Sequence, residues 1–472
     1  MKASVHFVGI GGAGMHALAR FALAKGVTVS GSDQRPSPIL DALSAAGATV
    51  FHDHAASHIT PDIGQVVYSS AIPPDNVEVC AARARDIPLS SRGAYLAGWV
   101  NAHPQGIAVC GTHGKGTCAA ALIAMLEAHG ARVSFVLGAP RRSDHCAALA
   151  LPEDDFLVAE VDESDRTHLC HHPSHLLINN IEADHLNVYP SLADIATSFE
   201  VLYQRWRARG RGHCVLGSDG EGMTLLLRRL SPLDPPTTLC RWDPHGDTDA
   251  AHLLDARDLN LEPDGSLTFT LTRDAAPLGR LHPALKGDLN ARNLITAAAM
   301  ALALGVPFAT IQAAVATYDG LVDRFEERRL GPFLFVTDYT SHPTCIAGNL
   351  RALRARVPGR IHAVFQPFRY SLLAYHWDAF ATALGAADLV HLAPLDAGGE
   401  ATRPEISSTA LAAAVCAAGG HAVAPYDDLS ALAQGLQERL VAGDGVIVFG
   451  GGGLFTTAAA AVAARAAHCE SA

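Results

Sequence analysis

The chain has 472 residues, of which 49% are hydrophobic and 17% charged, and its formal net charge is −12. This composition excludes an intrinsically disordered chain, and the length predicts about two to four domains. The negative charge and the lack of a long basic run argue against a nucleic-acid partner. A local basic pocket for phosphates is still compatible with this charge balance.

The sequence also restricts the expected compartment. Its first residues run into a strand-like segment without a signal-peptide core, and no uncharged apolar stretch is long enough to span a membrane. Ten cysteines are scattered without a CxxC pair, which argues against a zinc knuckle and predicts free thiols. We therefore expect a cytoplasmic protein without a membrane partner, either a monomer or a homodimer.

The first hundred residues alternate strand-like and helical patterns, as in a parallel sheet covered by helices. Val5 to Gly9 is predicted to be a buried strand, and a glycine-rich turn and a helix follow it. Glycines at such a turn let the backbone approach a pyrophosphate, and Asp33 closes the next strand where it could bind a ribose or a base. A dinucleotide and a nucleotide sugar are both compatible with this pattern. The glycines of the turn are Gly9, Gly11, Gly12 and Gly14.

A second strand–turn–helix pattern has Ile107 to Cys110 as its strand. Backbone amides of the turn can cradle phosphates, Lys115 can bridge the β and γ phosphates, and a hydroxyl can hold Mg²⁺. The Walker consensus fails at Val109, in the place of its first glycine, and at Gly116, so Thr117 becomes the hydroxyl ligand. The residues of the turn are Gly111, Thr112, His113, Gly114, Lys115, Gly116 and Thr117.

Acidic residues follow two further predicted strands of the second segment. Residues 156–159 lead into an acidic run at 160–165, and residues 176–178 lead into Asn179 and, six residues later, His185. Ligands of open α/β sheets collect at this carboxyl edge of the strands. Carboxylates and a histidine beside a phosphate-binding turn can therefore hold Mg²⁺ ions. A solvated acidic loop is the alternative.

A third segment begins after Arg324. Its predicted strands cover residues 333–336, 361–365, 389–392 and 445–449. We place domain boundaries near residues 103 and 325, which gives three α/β domains of residues 1–103, 104–325 and 326–472. Within the second domain, the Pro- and Asp-rich stretch 231–258 is predicted to be a loop-rich insertion, and residues 267–271 an antiparallel strand.

Three of these motifs together resemble the Mur ligase family. They are Gly-Thr-His-Gly-Lys at 111–115, Glu-Val-Asp-Glu-Ser-Asp at 160–165 and Asn-Ile-Glu-Ala-Asp-His at 180–185. The motifs His-Phe-Val-Gly-Ile-Gly-Gly at 6–12 and Phe-Gln-Pro at 365–367 more narrowly resemble the branch that joins L-alanine to UDP-N-acetylmuramate in peptidoglycan synthesis. The similarity spans nearly the whole chain.

The resemblance implies an N-terminal Rossmann-like domain that binds a UDP-sugar, a central P-loop ATPase-like domain and a C-terminal Rossmann-like domain that binds the amino acid. The glycine turn, Asp33 and Ser70 would hold the UDP-sugar. The turn at 111–117 would hold ATP, and the remaining ATP contacts would be Asn290, Asn293, Arg324 and Asp338. The implied amino-acid contacts are Tyr339, His342 and Arg369.

The resemblance also implies the metal ligands and the reaction. Thr117 and Glu160 would hold the first Mg²⁺, with Glu163 as the substitute for Glu160, and His185 would reach a second Mg²⁺. Lys115, Glu160 and His185 would be the catalytic residues. ATP would phosphorylate a carboxylate, an amine would attack the acyl phosphate, and phosphate would leave. Closure of the third domain would orient the substrates and exclude water.

Departures from the branch fall mainly on the amino-acid pocket, where polar groups are lost. The changed positions there are Thr340, Ser341, Cys345, Phe368 and Leu372, where the branch has Gly, His, Glu, His and Arg. Four further departures are Gly116, Asn187, Leu289 and Asp323. The nucleotide and metal positions mostly survive, so we expect an amine other than L-alanine. Residues 187–213 contain no lysine, so a carbamylated lysine is not available there.

Three other functions are compatible with parts of the pattern. A paralogue could run the same chemistry on a different carboxylate and amine in specialised metabolism. A non-catalytic nucleotide-sugar binder would explain the altered third domain. The glycine turn alone would also fit an NAD-dependent enzyme.

Overall fold

The computed structural model describes residues 4–69, 71–233, 236–242, 253–420 and 422–470. Three separate sheets, each covered by helices, succeed one another along the chain. Ser70, predicted to bind the UDP-sugar, lies outside the described residues. In the described part of the chain, no helix is both long and apolar enough to cross a bilayer.

The first sheet has five parallel strands in the order β3-β2-β1-β4-β5. The strands are β1 (Ser4–Val8), β2 (Thr28–Ser32), β3 (Thr49–Phe51), β4 (Gln65–Tyr68) and β5 (Leu89–Ser91). The helices are α1 (Ala13–Ala24), α2 (Pro38–Ala45), α3 (Val77–Ala84) and α4 (Arg92–Ala102). Since the order reverses at β1, the turn after β1 lies at the topological switch point, where open α/β sheets bind ligands.

The central sheet has ten strands in the order β15-β14-β13-β12-β11-β10-β6-β9-β7-β8. The strands are β6 (Gly106–Cys110), β7 (Val133–Val136), β8 (Ala148–Leu149), β9 (Phe156–Glu160), β10 (His175–Ile178), β11 (Cys214–Gly217), β12 (Thr237–Arg241), β13 (Leu253–Leu261), β14 (Leu267–Arg273) and β15 (Ala276–Leu281). The helices are α5 (Lys115–Ala128), α6 (Leu192–Arg209), α7 (Glu221–Leu230), α8 (Asp288–Ala303) and α9 (Phe308–Thr317). Because β6 lies between β9 and β10, the loops after these three strands meet at one edge.

Two predictions for the central domain are tested by this sheet. The antiparallel strand predicted at 267–271 is confirmed as β14, which pairs antiparallel with β13 and β15. The prediction of a loop-rich insertion at 231–258 is wrong for the described residues of this stretch, because β12 and β13 extend the sheet in parallel. Their apolar residues, such as Leu239 and Leu254, are buried, and this burial outweighs the turn-rich composition around them.

The third sheet has the order β16-β17-β21-β18-β19-β20, and β16 is its antiparallel edge strand. The strands are β16 (Glu326–Leu330), β17 (Phe333–Asp338), β18 (Ile361–Phe365), β19 (Leu389–Leu392), β20 (Val423–Pro425) and β21 (Gly445–Phe449). The helices are α10 (Pro343–Arg354), α11 (Tyr370–Tyr375), α12 (Trp377–Leu384), α13 (Ser408–Ala417), α14 (Leu429–Arg439) and α15 (Gly453–Glu470). The predicted α/β fold with three sheets is confirmed.

The central helices explain how the second core is built. Helix α5 is buried over nearly its whole length and packs against the alanine-rich helix α8. A helix that is apolar on all sides has to be covered on all sides, and the sheet and α8 provide this cover. This packing fixes the first turn of α5, which begins at Lys115, against the sheet edge.

All ten cysteines are free thiols.

Candidate active site

The turn between β6 and α5, residues 111–117, is called the phosphate loop below. Gly111 and Gly114 have φ angles of 137° and 75°, which favour glycine. A Cβ at Gly114 would lie 2.2 Å from Asn293 Oδ1, so a side chain there would collide with the asparagine beneath the loop. The loop thus presents the amino-terminal end of α5, which attracts anions.

Two asparagines that follow β10 hold the phosphate loop in place. The Thr112 amide donates to Asn180 O at 3.1 Å, and the His113 amide donates to Asn180 Oδ1 at 3.0 Å. Asn179 Nδ2 donates to Asn293 Oδ1 at 2.7 Å. We assigned no role to Asn179 or Asn180 from the sequence. The signal that could have found them is their place at the end of a strand beside β6.

Lys115 points into a group of carboxylates. Its Nζ donates to Glu163 Oε2 at 2.8 Å and lies 3.7 Å from Asp162 Oδ1. Burial lowers the pKa of Lys115, but Glu163 and Asp162 outweigh burial and hold this pKa above its usual range. Burial raises the pKa of Glu163 to about 8, because desolvation of the carboxylate outweighs the attraction of the lysine. The lysine is therefore charged and close to a carboxylate that is costly to ionise.

His185 completes a possible metal site with these acids. Asp162, Glu163 and His185, called the acidic cluster below, each place one ligand atom within 4.8 Å of the others. Glu163 Oε1 is buried without a hydrogen-bond partner among the described residues, and His185 Nε2 lies 3.6 Å from it. His185 also has a left-handed φ of 51°, a strain common at functional sites. An unpaired carboxylate oxygen is a hard donor of the kind that Mg²⁺ prefers.

Glu160, the carboxylate favoured as a metal ligand from the sequence, lies on another side of the phosphate loop. Its Oε2 accepts from the Gly138 amide at 2.7 Å and would lie 2.9 Å from a Cβ at Gly116. Glu160 lines the same cleft as Lys115 and Thr117. The structure therefore groups Glu163, and not Glu160, with His185, and it leaves Glu160 on the side of Thr117.

The remaining predicted ATP contacts line one cleft between the central and third sheets, which we call the nucleotide cleft. They are Asn290, Asn293, Arg324 and Asp338. Asn290 Nδ2 donates to Lys286 O at 2.9 Å. The Arg324 guanidinium donates to Tyr339 O and lies 5.0 Å from the centre of the Tyr339 ring. Asp338 Oδ2 accepts from the Phe325 amide at 2.8 Å, and burial raises the pKa of Asp338 to about 6.

The glycine turn of the first domain is also well formed. The Gly11 amide donates to Asp33 Oδ2 at 3.0 Å, so one oxygen of this acid already stabilises the turn. A Cβ at Gly14 would lie 2.9 Å from the guanidinium of Arg92. Arg92 also reaches the central domain, where its Nη2 lies 3.4 Å from Asp162 Oδ2. Arg92, which we did not single out from the sequence, thus connects the turn with the acidic cluster.

Two of the predicted amino-acid contacts, Tyr339 and His342, line the same cleft as the predicted ATP contacts. His342 is buried at the start of α10, and its Nε2 lies 3.3 Å from Ala183 O of the central domain. Tyr339 is 62% exposed. Arg369 does not line the nucleotide cleft in the part of the chain that the structure describes. It has a φ of 59°, and its guanidinium lies 5.0 Å from the centre of the Phe368 ring.

A cavity of about 500 Å³ adjoins this cleft and shares Tyr339, Thr340 and Ser341 with it, and we call it the amine cavity. Its walls combine apolar and aromatic side chains with uncharged polar ones, one carboxylate and a glycine turn at the start of α15. The residues lining it are Tyr339, Thr340, Ser341, Gln366, Phe368, Asp396, Leu429, Gly450, Gly451, Gly452, Gly453 and Leu454. No Lys or Arg side chain is among these described lining residues.

Comparison with known proteins identifies the family. The chain is 36% identical over 451 residues to the UDP-N-acetylmuramate–L-alanine ligase of Acidothermus cellulolyticus, covering 94% of this chain and 91% of that protein. It is 34% identical over 462 residues to the protein of the same name from Bordetella petrii, covering 94% and 95%. The chain belongs to the Mur ligase family. Like other members of this family, it is an ATP-dependent, ADP-forming ligase that uses Mg²⁺.

Family models for Mur ligases match the chain in three consecutive parts. The catalytic domain model of the Mur ligase family matches residues 4–104, the Mur ligase middle domain matches 109–301, and the Mur ligase glutamate ligase domain matches 323–452. This arrangement confirms the resemblance that the motifs indicated.

Solved Mur ligase structures share the fold. The UDP-N-acetylmuramate–alanine ligase of Thermotoga maritima superposes with a TM-score of 0.77 at 21% identity, covering 98% of this chain and 99% of that one. A murein peptide ligase from Psychrobacter arcticus superposes with a TM-score of 0.69 at 22% identity, with the same coverage. The three-domain Mur ligase architecture is therefore confirmed.

Proposed function

We propose that the chain joins an amino acid to the carboxylate of UDP-N-acetylmuramate through an acyl phosphate. The observation that carries this proposal is the position of Arg92, which lies between the glycine turn and the acidic cluster beside Lys115. A nucleotide sugar on the turn would thereby extend its acid towards the phosphate loop. The names of the relatives support this substrate, since those proteins are UDP-N-acetylmuramate–L-alanine ligases.

The residues of the cleft divide the reaction between them. Lys115 exchanges its contact with Glu163 for the phosphates of ATP and neutralises the charge on the transferred group. The γ-phosphoryl group passes to the substrate carboxylate and ADP leaves. The amine then attacks the acyl carbon, loses a proton and displaces phosphate. Asn290, Arg324 and Asp338 orient the nucleotide from the other side of the cleft.

We assign the metal ligands to two places. Thr117 and Glu160, on one side of the phosphate loop, would hold one Mg²⁺, and Glu163 and His185 would hold the other. Bound Mg²⁺ supplies positive charge to the phosphoryl oxygens. Glu163 is suited to this role because its Oε1 is buried without a hydrogen-bond partner among the described residues. The same set of ligands argues against a non-catalytic binder.

The amine cavity supports an amino acid larger than L-alanine. Its volume of about 500 Å³ and its walls of Tyr339, Phe368, Leu429 and Leu454 suit an apolar side chain. The glycine turn before α15 supplies backbone amides for a carboxylate. A Mur ligase paralogue acting on another carboxylate and amine is the second candidate. For the amine alone, it is favoured by the lack of a Lys or Arg among the described lining residues of this cavity.

Three broader features complete the proposal. We place the domain boundaries at residues 103 and 325, since the first sheet ends at Ser91 and the third begins at Glu326. Cytoplasmic localisation is supported by ten free cysteines, which fit a reducing compartment. We propose that the chain acts as a monomer or a homodimer.

An amino-acid panel tests the proposed substrates. Purified chain would be incubated with ATP, Mg²⁺ and UDP-N-acetylmuramate against each amino acid, with ADP release and product mass as readouts. We expect ADP release that requires both substrates and is faster with larger apolar amino acids than with alanine. If no amino acid releases ADP with this acceptor, the proposed carboxylate is wrong. Release with another UDP-linked acid would identify the paralogue.

A further inference from the structure

Glu182 lies between the central and C-terminal domains, in the loop that follows β10. Its Oε1 accepts from His113 Nε2 of the phosphate loop at 2.9 Å. Its Oε2 accepts from Thr344 Oγ1 in the first turn of α10 at 2.6 Å, and His342 Nδ1 lies 3.5 Å from the same oxygen. One carboxylate therefore contacts the phosphate loop and the C-terminal domain together.

The next residue of the loop continues this contact. Ala183 O accepts from His376 Nε2 at 2.7 Å, and His342 Nε2 lies 3.3 Å from it. The rings of His342 and His376 meet edge to face, with centroids 4.9 Å apart. Two residues further along the same loop is His185 of the acidic cluster. The residues that make the contact between the domains thus lie in the same loop as His185, a proposed metal ligand.

Glu182 is ionised at this contact. Burial raises the pKa of Glu182, but its hydrogen-bond partners His113 and Thr344, His113 first among them, oppose burial, and this pKa is lowered to about 2. Burial lowers the pKa of His342 to about 4, so this histidine is neutral near pH 7. Hydrogen bonds to an ionised carboxylate are stronger than hydrogen bonds between neutral groups, so Glu182 joins the two domains more firmly than a neutral side chain would.

We propose that Glu182 is a positioning residue that couples closure of the C-terminal domain to the geometry of the phosphate loop and of His185. When the domain closes, Thr344 engages Oε2, while Oε1 keeps His113 and the loop in place. The loop at 182–185 is then held by the phosphate loop on one side and by the C-terminal domain on the other, and this fixes His185 beside Glu163. This inference rests on the proposed phosphoryl transfer at Lys115, and it does not depend on which amine is used.

A second contact between the same domains provides a matched control. Arg351 of α10 lies 3.0 Å from Asp288 at the start of α8, and the side chain of Arg351 is 61% exposed. An exposed pair of this kind contributes little in water. Removing it tests whether any contact between the domains matters, whereas removing Glu182 tests the buried coupling.

The experiment compares Glu182→Ala, Glu182→Gln, Thr344→Val, Arg351→Ala and the double variant Glu182→Ala with Thr344→Val in the full chain. We expect Glu182→Ala to lower kcat about 100-fold with the KM for ATP changed less than about threefold. Glu182→Gln, which keeps an acceptor for Thr344, should recover at least about tenfold of that loss. Thr344→Val should lower kcat about tenfold and should add nothing to Glu182→Ala, because the two share one contact. Arg351→Ala should stay within about twofold of the wild type.

A substrate-independent measurement accompanies the kinetics. Small-angle scattering with a non-hydrolysable ATP analogue and Mg²⁺ should show compaction of the wild type and of Arg351→Ala, and less compaction of Glu182→Ala and Thr344→Val. Equal effects of Glu182→Ala and Arg351→Ala, or additive effects of Glu182→Ala and Thr344→Val, would overturn the inference. If the wild type and Arg351→Ala compact more than Glu182→Ala but the wild type releases no ADP, the coupling stands while the proposed substrates are wrong.

Discussion

Two buried glutamates, Glu78 in the first domain and Glu163 in the central domain, are satisfied in opposite ways. The carboxylate of Glu78 is fully buried, yet both of its oxygens have donors. Its partners are Ser32 Oγ at 2.6 Å, His54 Nδ1 at 2.7 Å and His58 Nδ1 at 2.8 Å. Burial raises the pKa of Glu78, but His6, Ser32 and the other histidines outweigh burial and lower this pKa to about 2.

Glu163 has only one satisfied oxygen among the described residues, since Lys115 contacts Oε2 and Oε1 lacks a donor. For Glu163 burial therefore outweighs the attraction of Lys115, and it raises the pKa of this carboxyl to about 8. Both carboxylates lie near histidines, so the difference is in the completeness of the hydrogen bonds. A complete set indicates a structural role, and an incomplete set indicates that a ligand from outside supplies the missing partner.

The largest expected effect is that of replacing Lys115, the lysine that donates a hydrogen bond to Glu163. Lys115→Met removes the charge that neutralises the transferred phosphoryl group, so we expect kcat to fall by at least about 10³-fold. Steady-state ADP release measures it, and unchanged thermal unfolding confirms that the variant is folded. Activity within about tenfold of the wild type would show that Lys115 is only a structural partner of Glu163.

Removal of a carboxylate that we propose as a metal ligand should have the next largest effect. Glu163→Gln and Glu160→Gln should each raise the half-saturating Mg²⁺ concentration about 10–100-fold, because each loses a charged oxygen ligand. Asp165→Asn is the matched control. It changes a nearby acid that accepts a hydrogen bond from the Thr167 amide, and it should leave Mg²⁺ dependence unchanged. If only Glu160→Gln changes it, the unpaired oxygen of Glu163 does not mark a metal site.

Glu78→Gln should affect stability and not Mg²⁺ dependence. The folded-state pKa of Glu78 is about 2, below its usual value of 4.5, so its contribution is complete above about pH 4.5 and is lost as the pH falls through 2. We expect a loss of about 2–3 kcal/mol at pH 7, shrinking below pH 4.5. Hydrogen exchange of the β1 amides measures it. A difference that grows on acidification would contradict this assignment.

Arg92 connects the two regions that contain these glutamates. Because it lies between the glycine turn and Asp162, Arg92→Ala should raise the KM for the UDP-sugar about 10–30-fold and leave the KM for ATP nearly unchanged. Arg83→Ala is the control, since Arg83 donates to Pro74 O in an exposed part of the first domain. An equal rise in both KM values would indicate that Arg92 only joins the domains.

The smallest expected effect is at the amine cavity, away from both glutamates. Phe368→Ala removes part of an apolar wall, so we expect the preference for large apolar amino acids over alanine to fall about fivefold. The ratio of kcat/KM values for two amino acids measures it. An unchanged ratio would mean that the amine binds elsewhere.

The fold was largely predictable because its signals are local. Apolar runs such as those of β6 and β21, followed by glycine turns, indicate strands of parallel sheets, and the motifs at 111–115 and 180–185 indicated the family. The insertion at 231–258 was misjudged because its composition is rich in Pro and Asp, whereas pairing with the existing sheet edge stabilises β12 and β13. The roles of Asn180 and Glu182 were missed because their partners lie about 70 residues away along the chain.

By itself, the sequence determined the order of the three domains, the positions of both glycine turns and the chemical type of each candidate site residue. These properties depend on neighbouring residues and on hydrophobic periodicity. Only the tertiary structure decided that Glu163 and not Glu160 lies beside His185, that Arg92 connects two sites, and that His342 contacts the central domain. Such choices depend on which loops meet at an edge shared by sheets and domains, and spacing along the chain does not specify this.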